Sequence, residues 1–240
     1  MYKHMRNILF VLTLLPIFGL KAQQKGKITY ELVVTKNPDG KKKKNSEQFQ
    51  LNTEENALLL NKMEIEVFFD EENSYFPAIM GYDDNNAMAA FGLKKDIFVS
   101  NREKASFLPT DYNGEKVLRR KGNYDWKIHS ETKKIGKYIV HKATAKYYNK
   151  ELIAWYAPEF PYSYGPVGFF GLPGLILEIG VKEELLYAYR FKKLRFSKKN
   201  QVKKAPNLRV VSSEEMNKYY IEYYKNLKLN YQNLIEESKE

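Results

Sequence analysis

Few residues in this chain of 240 are suited to covalent or acid–base chemistry. It has no cysteine and three histidines, His4, His129 and His141. Disulfides, thiolate metal sites, a cysteine nucleophile and an N-terminal lipidated cysteine are excluded. His129 and His141 lie twelve residues apart on separate candidate strands. Without a patterned carboxylate they read as surface or edge-strand imidazoles rather than metal ligands. Glu159 and Glu178 could form an acid pair, but Glu178, between Leu177 and Ile179, suits solvent or a lysine equally well. Ser163 follows a tyrosine in a proline-rich loop, with no nucleophile-elbow pattern. Asp83 and Asp84 lack the alternating acids and terminal glutamate of a calcium loop. No glycine-rich phosphate loop follows a strand. The reading is no catalytic residue, no metal, no cofactor and, on balance, no enzyme; a hydrolase using Glu159 ranks last among the alternatives.

What is concentrated is aromatic and conformational. Trp155, Tyr156, Phe160, Tyr162, Tyr164, Phe169 and Phe170 are interleaved with Pro158, Pro161, Pro166 and Pro173 and with Gly165, Gly168, Gly171 and Gly174. Proline removes backbone donors and fixes φ, so residues 157–173 cannot be a regular central strand. They read as a rigid loop crossing between two strands, with 175–179 re-entering the sheet. Two roles stay open for the rings. They close the end of a barrel or half-barrel as core, or some line an apolar pocket with tyrosine hydroxyls and Glu159 at its mouth. The candidate ligand contacts are Trp155, Tyr156, Glu159, Tyr162 and Tyr164. Gly171, Leu172, Pro173, Gly174, Leu175 and Ile176 form a structural motif, the two glycines permitting φ > 0 or close backbone approach and Pro173 fixing the turn before Leu175.

Elements able to position that loop can be read on both sides of it. Residues 27–35 are β-branched and aromatic and end at a turn, 37–40, followed by four lysines, 41–44, that suit a solvated loop. Residues 63–69 alternate, although helix remains possible over 53–69. Residues 97–99, 124–128, 138–148, 152–157, 175–179 and 185–196 are strand candidates. The period then changes. Ser212 is placed as a cap with Glu215 three residues on, and Met216, Tyr220, Tyr223, Leu227, Tyr231 and Leu234 recur near helical spacing. The expected fold is mainly β, a strongly curved antiparallel sheet or half-barrel with a docked C-terminal amphipathic helix over about 212–235, in a single domain, 23–240.

The N-terminus sets a location. Lys3, His4 and Arg6 precede an apolar stretch, 8–20, and a cut is expected at Ala22/Gln23, making 1–22 a signal peptide. Thirteen apolar residues are too few to span about 30 Å of hydrocarbon, and no later segment does. The formal charge of +11 loses three cations and no acid on cleavage, leaving +8. That charge favours polyanions in general, while export weighs against nucleic acid.

The run Trp155-Tyr156-Ala157-Pro158-Glu159-Phe160-Pro161, then Gly171-Leu172-Pro173-Gly174-Leu175-Ile176, resembles the GLPGLI family of exported Bacteroidota proteins. Trp126, Ile135-Gly136 and Lys142-Ala143-Thr144 resemble its upstream part. The resemblance implies export and no assigned activity. Many relatives carry a cysteine where this chain has Val140, so no thiol role transfers. The element order also resembles LolA/LolB- and RseB-type periplasmic domains, a fold type that hosts several functions. The functional expectation is an exported protein, periplasmic or extracellular, soluble or peripheral to the envelope. It binds an apolar small molecule, lipid or extended peptide, or else acts as a structural or interaction module meeting an envelope protein or anionic surface polymer.

Overall fold

The structure, a computed structural model, describes residues 25–36, 60–79, 92–122, 124–147, 150–182, 185–199 and 201–237. The expected signal peptide 1–22, the expected turn 37–40, the lysines 41–44 and the acidic cluster 83–86 lie outside them. The chain is mainly β. The strands are β1 (Lys25–Lys36), β2 (Glu64–Phe69), β3 (Asn73–Phe76), β4 (Ile97–Ser100), β5 (Ala105–Tyr112), β6 (Glu115–Lys121), β7 (Lys127–Ile135), β8 (Tyr138–Tyr147), β9 (Lys150–Ala157), β10 (Leu175–Lys182), β11 (Leu185–Ser197) and β12 (Val210–Ser212). One helix, α1 (Ser213–Glu237), follows them among the described residues.

All the strands join one sheet in the order β12-β6-β5-β4-β3-β2-β1-β11-β10-β9-β8-β7. Neighbours are antiparallel except β12, which runs parallel to β6. Connectivity dictates the curl. Ten strand spacings of about 4.8 Å would put β6 and β7 about 48 Å apart in a flat sheet. Yet five residues join them, from Lys121 to Lys127, a reach of roughly 20 Å. The sheet therefore rolls up until Lys121 at the end of β6 donates to the Tyr147 hydroxyl at the end of β8, 3.0 Å away. It stays unclosed, because β6 and β7 do not pair.

The main core fills the inside of the curl. Ile28, Tyr30, Leu32 and Val34 of β1 alternate inward, as do Ile65, Val67 and Phe69 of β2. Strand periodicity thus resolves the helix-or-strand ambiguity of 63–69 in favour of strand from Glu64. Tyr75, Phe98, Phe107 and Leu118 form a smaller apolar cluster under Val202, Ala205 and Leu208 of the irregular strap 201–209. Tyr75, Phe98 and Phe107 are register partners in adjacent strands, so they share the outer face.

Helix α1 is capped as expected, with the Glu215 amide donating to Ser212 Oγ at 2.9 Å. The Glu215 side chain instead meets Arg209. The helix docks through its first turns, Met216 on Val117 and Val211, and Tyr219 against Tyr112. Of the expected docking stripe beyond these turns, Tyr223 and Leu227 are exposed, and the side chains of Tyr231 and Leu234 lie outside the described residues. The helix begins at the short edge strand β12, and its 25 residues, about 37 Å of helix, outrun the surface on which it starts.

Candidate functional site

The aromatic-proline segment runs across the inside of the curl as a plug. Its rings Tyr156, Tyr162 and Tyr164 are 4%, 6% and 1% exposed. Tyr162 tilts against Phe69 of β2 with ring centroids 4.9 Å apart, while Phe169 and Phe170 meet Tyr124 near the opposite edge. One segment thereby ties β2 to the connection before β7. Two of its hydroxyls are engaged internally. Tyr164 donates to the Glu71 carbonyl at 3.1 Å and Ser163 to the Leu172 carbonyl at 2.7 Å. From outside the segment, Tyr30 donates to the Ile176 carbonyl and Trp126 to the Phe170 carbonyl. Burial raises the pKa of Tyr30 and Tyr164 well above the ordinary phenol value, and nearby acids add to the rise at Tyr164. Both hydroxyls are donors, not proton-transfer groups.

The motif residues have separable jobs. Gly171 sits at φ 98°, a region closed to most side chains. Gly174 has no positive φ; its constraint is proximity, since an added Cβ would lie 2.5 Å from the Ala157 carbonyl oxygen. Of the two expected glycine roles, positive φ applies at Gly171 and close chain approach at Gly174. Leu172, Leu175 and Ile176 are fully buried and Pro173 is exposed. Val167, with φ 43° and ψ 38°, is a β-branched residue in left-handed backbone, an uncommon and strained conformation. Gly168 beside it packs so closely that a Cβ would meet Ile97 Cγ2 at 2.5 Å.

Two of the five proposed ligand contacts reach the outside. Trp155 is half-buried, and Lys133 Nζ lies 4.4 Å from its ring centroid. Glu159 is exposed and makes no ion pair among the described residues. Glu178 does not join it as an acid pair. It is held by Lys133 at 2.6 Å and Arg190 at 3.6 Å. The histidines likewise stay apart. His129 bonds Thr144 Oγ1, and His141 tilts against Tyr156. Among the described residues no group of three metal-ligating side chains occurs.

A second site, unread in the sequence, lies on the outer face. Register places Arg195, Lys27, Phe68, Tyr75, Phe98, Phe107 and Arg120 in one row across seven strands. The strap 201–209 crosses this row and leaves an open cleft of about 290 Å³ where it faces the strand ends at Glu72–Asn73 and Ser100–Glu103. Arg102, Lys203 and Lys204 supply cations there, and Glu72 and Glu103 supply carboxylates. Lys203 Nζ is 5.3 Å from the Tyr75 ring centroid. The backbone around the cleft is fixed in advance. Asp70 accepts from the Glu72 and Asn73 amides, Ser100 accepts from the Glu103 amide, and Arg120 donates to the Glu103 carbonyl. The available signal was charge: residues 190–204 contain eight Lys or Arg and no Asp or Glu.

Residues 146–178, which include the 171–176 motif, match the model of an uncharacterised Bacteroidota-type family, described as a protein of unknown function and labelled Porph_ging. No curated protein matches the chain. Among solved structures, PNGF-II in space group P21 is similar at 16% identity and a TM-score of 0.46, over 81% of this chain and 33% of that one. The C2 form gives 15% and 0.45, over 79% and 31%. The chain spans about a third of the length of these solved structures.

Proposed function

We propose that this chain is an exported, non-enzymatic envelope protein that binds another envelope component through its outer surface, its aromatic-proline segment serving as a fold staple. One observation carries the choice: Tyr156, Tyr162 and Tyr164 are buried together, and Tyr164 spends its hydroxyl on the Glu71 carbonyl. Rings and polar handles consumed inside the core are not available to a ligand. Trp155 and Glu159 remain as surface groups without a pocket built from the tyrosines. Export rests on the basic and apolar tandem before Ala22 and on the resemblance to the GLPGLI family. The resemblance to LolA/LolB- and RseB-type domains adds a periplasmic setting and no activity.

Native mass spectrometry of the chain purified from its own envelope tests both parts. The expected mass begins at Gln23, and photo-cross-linkers at position 204 should capture a partner that cross-linkers at position 162 do not. A small apolar molecule that co-purifies with the wild type and is lost on Tyr162→Phe would overturn the outer-surface reading. Retention of residues 1–22 would overturn export by cleavage.

A further inference from the structure

Residues 190–199 of β11 and its end, residues 201–204 of the strap and the cleft beside them form one positively charged track. Its eight cations are not equivalent. Arg190 is paired with Glu178, and Lys192 with Glu31 and Glu64. Lys193, Arg195, Lys198, Lys199 and Lys204 are exposed and carry no ion pair among the described residues. Arg195 lies at the β11 end of the cross-strand row, opposite Lys27. Val202 and Ala205 pin the strap on Tyr75, Phe98, Phe107 and their neighbours, holding Lys203 and Lys204 over the cleft. Cations fixed on a packed strap lose less entropy on binding than cations on a free tail.

We propose that this track binds an anionic polysaccharide carrying about one acid group per sugar, with one sugar unit seated in the cleft. This rests on the outer-surface reading and names its ligand. Exposed, unpaired cations along a strand and strap supply the long-range attraction. Composition of the cleft then selects among polyanions. Two carboxylates, Glu72 and Glu103, share it with Arg102, Lys203 and Lys204. Carboxylates accept hydrogen bonds from sugar hydroxyls and repel a polymer charged at every short step, such as polyphosphate. Arg102 offers a planar fork that matches a carboxylate in two-point contact. The cleft offers no stacking platform for nucleobases, because Phe98 and Phe107 in its floor are 7% and 5% exposed. A volume of about 290 Å³ is at the small end of ligand sites, which run from about 300 Å³; that suits a single ring of a chain passing through an open cleft.

Polygalacturonate oligosaccharides are the probe, titrated calorimetrically into the full mature chain at low and moderate salt. Saturable binding is expected that weakens with salt and is tighter than binding of polyphosphate, single-stranded DNA or anionic vesicles at equal charge. Lys203→Gln with Lys204→Gln should weaken it at least tenfold, and Lys198→Gln with Lys199→Gln should mainly flatten the salt dependence. Glu72→Gln with Glu103→Gln gives the sign test: polygalacturonate binding falls while polyphosphate binding rises. Lys218→Gln on α1 should change nothing. All these side chains are exposed, so unchanged thermal unfolding is the expected control, and Lys204→Arg should keep binding. Absence of binding, equal affinity in the cleft variants, or tighter binding of polyphosphate, DNA or vesicles would overturn the proposal. If the polysaccharide fails while cross-links at position 204 persist, the outer-surface reading stands and this ligand falls.

Discussion

Replacing Gly174 by alanine adds one methyl group where the loop passes the end of β9. An ideal Cβ there would lie 2.5 Å from the Ala157 carbonyl oxygen, 2.8 Å from its carbonyl carbon and 2.9 Å from Pro158 Cα. These distances fall short of the usual carbon contact of 3.5–4.0 Å by about 0.6–1.5 Å. All three neighbours are backbone atoms, so no rotamer change relieves the contact, and the strand end or the loop must move. Overpacking of this kind costs about 1–3 kcal/mol. In a chain of this size each kcal/mol is worth about 2–4 °C, so the melting temperature should fall by roughly 2–12 °C. Gly122→Ala is the control. A Cβ there meets nothing within 4 Å and its φ is not positive, so it should be neutral or slightly stabilising. Urea melts of both variants, with slopes compared, give the answer. A Gly174→Ala midpoint equal to wild type at unchanged slope would show that the close approach does not constrain the fold, and the staple argument would lose its tightest point.

Tyr30→Phe removes the donor to the Ile176 carbonyl from a fully buried ring. The orphaned carbonyl should cost about 1–3 kcal/mol, and an unchanged urea midpoint would refute the bond's role. Met216→Ala should cost about 2–5 kcal/mol and loosen α1, read as faster amide exchange in its first turns, where the wild type is anchored on Val117 and Val211; equal exchange would mean that other contacts hold the helix. Lys192 holds the carboxyl of Glu64, and Lys142 that of Glu131, below the ordinary glutamate value of 4.5. With folded values depressed, their stabilising contribution is complete above that pH and fades as pH falls below it. Carboxyl NMR titration should show both midpoints low and moving back toward 4.5 in high salt; salt-independent midpoints would contradict the ion-pair cause.

Local rules made much of this fold legible. Alternation in 27–35 and 63–69 gives two strands because one face of each must be buried. The prolines exclude a central strand between β9 and β10, and none is formed there. Strands β5 and β6 passed unread, although Asn113-Gly114 between them is a strong hairpin signal. Both residues take positive φ, 51° and 81°, with Tyr112 opposite Glu115. Pro109 obscured the first of these strands, and β12 has three residues, too few for any period to show.

By itself, the sequence determined that no cysteine chemistry is available, that the chain would be mainly β, and that residues 157–173 would be an aromatic crossing rather than a regular strand. Those are properties of residue types and near neighbours. Which side of the crossing faces the core depended on the curl of the sheet, set by pairings between residues far apart in the chain, such as Tyr30 with Ile176. The outer cleft is equally nonlocal. Glu72, Arg102 and Lys203 belong to three separate segments and meet only because β3 and β4 pair, bringing their adjoining ends together where the strap crosses.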